Sequence, residues 1–122
     1  MYSEKLLDHF RDPRNVGELD GATAVVEVSN PVCGDMLRLA VIADGGVVRE
    51  ARFLCSGCTA SIATASRLTE LIKGKAQEEL NELTPEQIAV EVGGLPPAAF
   101  HAAQLARDAV RAVAAKIPAV GC

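Results

Sequence analysis

The period of the hydrophobic pattern changes once along the chain, at Cys55-Ser56-Gly57-Cys58. Upstream, apolar residues alternate. Ala24, Val26 and Val28 are spaced by Val25 and Glu27, Leu37, Leu39 and Val41 by Arg38 and Ala40, and Ala51 and Phe53 sit between Glu50 and Arg52. A period of two predicts strands over Ala24 to Val28, Met36 to Val41, and between Val47 and Leu54. Asp44-Gly45-Gly46 joins the last two as a hairpin. Downstream, Ile62, Ala63, Leu68, Leu71 and Ile72 fit one helical face that ends near Gly74. Thr84-Pro85-Glu86-Gln87 has the capping-box pattern, with proline at the first helical position, so a helix runs towards Val92 and stops at Gly93-Gly94. Leu95-Pro96-Pro97 opens a last helix through Lys116, with Phe100, Leu105, Ala109, Val113 and Ile117 near its buried face. Strands first and helices afterwards predict an α+β fold: a three-stranded antiparallel sheet with helices packed on one face. At the N-terminus, Ser3 caps a short helix that stops at Asp12-Pro13. Residues 1–20 thus read as a helix and loop able to move against the rest.

A chain of 122 residues has room for a single compact domain, residues 1–122. Its 49% hydrophobic content argues against disorder. Tyr2, Phe10, Phe53 and Phe100 are too few for a base-stacking platform, and 12 basic against 16 acidic residues leave no basic patch. Nucleic acid is therefore not an expected partner. No apolar run approaches the roughly 20 residues that cross a bilayer, and the first residues lack the pattern of a signal peptide. A cytoplasmic location without membrane contact is the expectation. In that reducing compartment the four cysteines serve metals or redox chemistry more often than structural bridges.

Cys33 and Asp35, in Asn30-Pro31-Val32-Cys33-Gly34-Asp35, offer a thiolate and a carboxylate from the loop between the first two strands. The same residues also fit a turn with a small buried thiol and a solvated acid. Cys55 and Cys58 have the CxxC spacing of a metal chelate or a redox pair. Cys58 directly precedes a helix, where free N–H groups and the helix dipole favour a thiolate. His101, near the start of the last helix, is a neutral nitrogen donor or a satisfied helix histidine. Cys122 is terminal and a weak ligand candidate, and His9 reads as a surface residue. No G-x-S-x-G, P-loop or G-x-G-x-x-G is present, and nothing supplies an orienting third group to a Cys58–His101 pair. A metal-binding role fits better than an enzyme.

Several of these segments share one order. Tyr2-Ser3-Glu4-Lys5, His9-Phe10 and Asp12-Pro13-Arg14-Asn15-Val16-Gly17 lead to Val32-Cys33-Gly34-Asp35. Phe53, Gly57-Cys58, Ile62-Ala63, Ser66 and Lys73-Gly74-Lys75 follow, then Leu95-Pro96-Pro97, His101, Leu105-Ala106 and Asp108-Ala109. Together they resemble the iron–sulfur cluster assembly scaffolds of the IscU and NifU N-terminal domain type, over nearly the whole chain. The resemblance implies a scaffold that takes sulfur from a cysteine desulfurase and hands a transient cluster, of the 2Fe-2S kind, or its iron to recipient apo-proteins. It also implies Cys33, Asp35, Cys58 and His101 as ligands. Ala102 stands where that family has a third ligand cysteine, and alanine carries no donor atom. Ala98-Ala99 stands where the family's chaperone-recognition lysine falls, which argues against a chaperone contact.

Cys55 or Cys122 is a substitute for the missing thiolate, or Cys33, Asp35, Cys58 and His101 suffice alone. Two thiolates, an imidazole and a carboxylate also suit tetrahedral zinc. A zinc-binding interaction or regulatory module that has lost assembly activity is therefore the alternative. A CxxC redox protein ranks below both, because the hairpin before Cys55 is the wrong setting for a thioredoxin-like parallel unit.

Overall fold

The computed structural model describes residues 2–31 and 34–118; Cys33 and Cys122 lie outside them. The alternating segments form three antiparallel strands paired in chain order: β1 (Ala24–Ser29), β2 (Met36–Asp44) and β3 (Val47–Ser56). Gly45 and Gly46 both have positive φ, 62° and 78°, which a two-residue primed turn requires. Ala24, Val26, Leu37, Leu39, Val41, Ala51 and Phe53 are buried, on the face that the alternation predicts.

Among the described residues, five α-helices complete the fold: α1 (Glu4–Arg11), α2 (Thr59–Ile72), α3 (Gln77–Glu82), α4 (Pro85–Glu91) and α5 (His101–Lys116). Helix α2 packs on β3, and α5 on β1, β2 and α2. Nine of the 14 residues of α2 are buried, so it is a central helix and not an amphipathic surface one. Most of the nine are small alanines, serines and threonines, which lets neighbouring backbones approach closely. Ile62, expected on the buried face, is only half-buried.

The capping box at Thr84 is formed: its hydroxyl accepts from the Gln87 N–H at 3.1 Å, and Gln87 Oε1 accepts from the Thr84 N–H at 2.9 Å. Two local expectations need correcting. Helix α3 has no counterpart in the sequence reading, because it has six residues and buries only Leu80, too little to set a period. The last helix begins at His101, since Pro97–Ala99 forms a separate 3₁₀ turn.

The N-terminal segment is tied to the domain at Ser3, at residues 15–17 and at His9, among other contacts. Ser3 Oγ accepts from the Leu6 N–H at 3.0 Å and donates to the Val92 carbonyl at 2.7 Å, joining the start of α1 to the end of α4. Farther on, the Phe53 N–H donates to the Asn15 carbonyl and the Gly17 N–H to the Phe53 carbonyl, both at 2.9 Å. Residues 15–17 thereby cover the edge of β3 that β2 leaves open, a protected arrangement for an edge strand.

The third tie is His9, and it overturns the surface reading. His9 is 4% exposed; its Nδ1 lies 2.7 Å from Ser66 Oγ and its Nε2 3.2 Å from Glu70 Oε1. Ser66 Oγ also accepts from the Arg14 N–H at 2.8 Å. Every group is satisfied when the Ser66 hydroxyl donates to a neutral Nδ1 and Nε2–H donates to Glu70. Burial, and next the Arg14 cation, hold His9 below its ordinary value of 6.5, with Glu70 opposing. The unfolded chain then binds the proton more readily, so stability is complete above pH 6.5 and declines as pH falls from there through the lowered folded value. His9→Gln, which does not titrate, is expected to flatten that part of the decline. Urea midpoints at pH 7.5 and 5.5 check this; equal pH losses in both proteins would contradict it.

Candidate metal centre

Asp35 immediately precedes β2, and Met36 is paired with Ser56 at the end of β3. The sheet register therefore sets Asp35 beside Gly57. A Cβ at Gly57 would stand 2.7 Å from Asp35 Oδ1 and 2.8 Å from its Cγ, so only glycine leaves the carboxylate its place. Cys58 follows as the N-cap of α2. His101 arrives from the other side, where the 3₁₀ turn feeds α5.

These three residues converge. Cys58 Sγ lies 3.6 Å from Asp35 Oδ2 and 3.5 Å from His101 Nε2, and His101 Nε2 lies 3.3 Å from Asp35 Oδ2. Tetrahedral coordination with bonds of about 2.0–2.3 Å separates neighbouring donors by roughly 3.3–3.8 Å. The trio thus has the spacing of one face of a tetrahedron. His101 Nδ1 stands 3.2 Å from the Ala98 carbonyl. A carbonyl only accepts, so Nδ1 carries a hydrogen there and Nε2 is the ring nitrogen that faces the other two donors, the orientation of a ligating histidine.

Cys55 takes a different position. The alternation that buries Ala51 and Phe53 puts it on the same face of β3, packed against the main core. Its thiol is pushed up to about 11, first by burial and then by the nearby Asp35 and Cys58. A thiolate there is disfavoured, and Cys55 does not join the three-donor group. Ala102 is 2% exposed and packs with Leu6, Ala60, Ala63 and Val92 in a second, smaller core beneath the site. An open apolar cleft lined by Tyr2, Pro96, Ala98 and Ala99 borders Cys58 and His101.

Ser61 belongs to the site as well. Buried at 3% exposure, its hydroxyl donates to Asp35 Oδ2 at 2.5 Å and lies 3.4 Å from Cys58 Sγ. The signal in the sequence was its spacing: three residues beyond Cys58 on a helix, it shares that residue's face.

Carboxylate, thiol and imidazole gathered at one end of a three-stranded α+β sheet define a candidate metal-site domain. Residues 1–120 match the family described as NifU-like N terminal domain, and the chain belongs to that family. The iron-sulfur cluster assembly scaffold protein IscU of Haemophilus influenzae is 42% identical over 118 residues, covering 93% of each chain. IscU 1 of Archaeoglobus fulgidus is 43% identical, covering 91% of this chain and 72% of its own. Among solved structures, the N-terminal NifU-like protein of Brucella abortus superposes with a TM-score of 0.76 at 20% identity, covering 94% of this chain and 92% of its own. At that identity the likeness speaks for the fold. Among the described residues, no helix is long and apolar enough to cross a membrane.

Proposed function

We propose that this chain is a scaffold that holds an iron–sulfur cluster, or its iron, as cargo and passes it to apo-proteins, acting as one unit over residues 1–122 in the cytoplasm. The observation that supports this is the convergence of Asp35, Cys58 and His101 from three separate stretches, in a chain 42% identical to a protein named as such a scaffold. Cys33, two residues before Asp35, is the fourth donor in this reading, with Cys55 and Cys122 as secondary candidates. The role is to hold and release, not to turn over a substrate. A cysteine desulfurase is the sulfur source and apo-proteins are the recipients. Ala98 and Ala99 leave a chaperone contact outside the proposal.

One observation favours a second reading. The three donors are all within 4.8 Å of one another, which suits a single ion, whereas a two-iron cluster divides its ligands between two metals. A resident zinc is therefore the alternative, in the same site.

Anaerobic reconstitution with iron and sulfide, followed by iron, sulfide and zinc analysis of the desalted protein, separates the two. Stoichiometric iron and sulfide with a cluster-like visible spectrum is the expected result. Retained zinc without sulfide would favour the second reading. On either reading, Cys58→Ser and His101→Ala are expected to weaken metal binding by more than about 100-fold, since changes to supporting groups alone cost roughly 10–100-fold. Near-normal binding in both variants would remove the site.

A further inference from the structure

We infer that Ser61 acts on the site through Asp35, by engaging the same carboxylate oxygen that a metal would use, and so sets how readily the site lets a metal go; this rests on the metal-site reading above. The oxygen that faces the other donors is Asp35 Oδ2, 3.3 Å from His101 Nε2 and 3.6 Å from Cys58 Sγ. That same oxygen accepts the Ser61 hydroxyl at 2.5 Å. The hydroxyl and an incoming cation therefore draw on one oxygen atom.

The carboxylate does not depend on Ser61 alone for its place. Asp35 is 4% exposed, and its Oδ1 and Cγ lie against Gly57 closely enough that a Cβ there would stand 2.7–2.8 Å away. Orientation is supplied largely by that slot. What Ser61 adds is a short, charge-assisted hydrogen bond to a buried anion. This bond matters most when no cation is present, because a coordinated oxygen has less charge to offer the hydroxyl. Loss of a supporting group weakens binding where that group aims the ligand; here the Gly57 slot aims Asp35, so removing the Ser61 bond raises the free energy of the empty site more than that of the loaded one, and the metal is held more tightly. Ser61 also stands 3.4 Å from Cys58 Sγ, but its bond to Oδ2 is much the shorter.

The test is zinc titration of the full chain against a chromophoric chelator, with the release rate followed by trapping the freed zinc. Wild type, S61A, S61G, S61T, D35A and the D35A/S61A double variant are compared, and thermal unfolding of each zinc-free protein establishes that it is folded. We expect S61A and S61G to bind zinc about tenfold more tightly and to release it correspondingly more slowly. S61T, which keeps the hydroxyl, is expected to match wild type, and S61A to have no effect once Asp35 is absent. Unchanged or weaker binding in S61A and S61G, while D35A still weakens binding, overturns the role of Ser61 and leaves the metal site standing. An equal S61A effect with and without Asp35 overturns it too. Normal zinc binding by D35A, Cys58→Ser and His101→Ala alike would instead sink the metal-site reading itself.

Discussion

Gly57→Ala is expected to cost the site about 100-fold or more in zinc affinity, while the rest of the domain keeps its fold. The added methyl would stand 2.7 Å from Asp35 Oδ1, 2.8 Å from Cγ and 3.2 Å from Cβ. Rotation about Cβ–Cγ moves only the oxygens and a new χ1 is needed to move Cγ, but neither moves Cβ, which is fixed by the backbone ahead of β2. The strand ends must therefore separate, or Asp35 must leave the donor group; overpacking of this kind costs typically about 1–3 kcal/mol. Chelator competition reads the affinity and urea unfolding the stability. Wild-type affinity in this variant together with normal binding by D35A would show that Asp35 is not needed, and the ligand assignment would have to move to other groups.

Phe53→Ala is the second substitution with a large expected effect. Phe53 is 2% exposed in the main core, and its backbone also carries the pairing to Asn15 and Gly17. Truncating a buried phenylalanine costs about 3–5 kcal/mol, a large share of the roughly 5–15 kcal/mol that holds a domain folded. The loss should appear as a lower urea midpoint. Because β3 ends two residues before Cys58, a weakened β3 should also loosen the metal centre. A change below 1 kcal/mol would mean that the surrounding alanines and valines close over the space.

The strands, the hairpin, α2 and the cap at Thr84 were all legible, because each rests on residues close in sequence. Alternation marks a pleated strand with one buried face, paired glycines mark a primed turn, and a Thr-Pro-x-Gln run marks a helix start. Asp35, Cys58 and His101 were also singled out from their donor chemistry and local setting, and the fold brings these three together. His9 was not legible as a buried group. Its partner Ser66 lies 57 residues away, and nothing in Asp8-His9-Phe10 announces a hydroxyl waiting on α2. Cys55 is a different kind of case. Its place on the core face follows from the alternation of Ala51 and Phe53, but the CxxC spacing drew attention to chelation instead. The start of α5 was displaced because Pro96-Pro97 looks like a helix opening, whereas those residues build the 3₁₀ turn whose Ala98 carbonyl orients His101.

Asp35 lies 23 residues from Cys58, and Cys58 lies 43 residues from His101. An extended chain cannot present these donors to one ion, so the site exists only in the folded state. On the function proposed above, loading and folding are one coupled equilibrium. At a free metal concentration 100 times the dissociation constant, the loaded chain gains about 2.7 kcal/mol of resistance to unfolding, and it forfeits that margin when the cargo departs. A carrier built this way signals its own occupancy: the emptied molecule melts at a lower temperature and is cut more readily by proteases than the loaded one, without any separate sensing element.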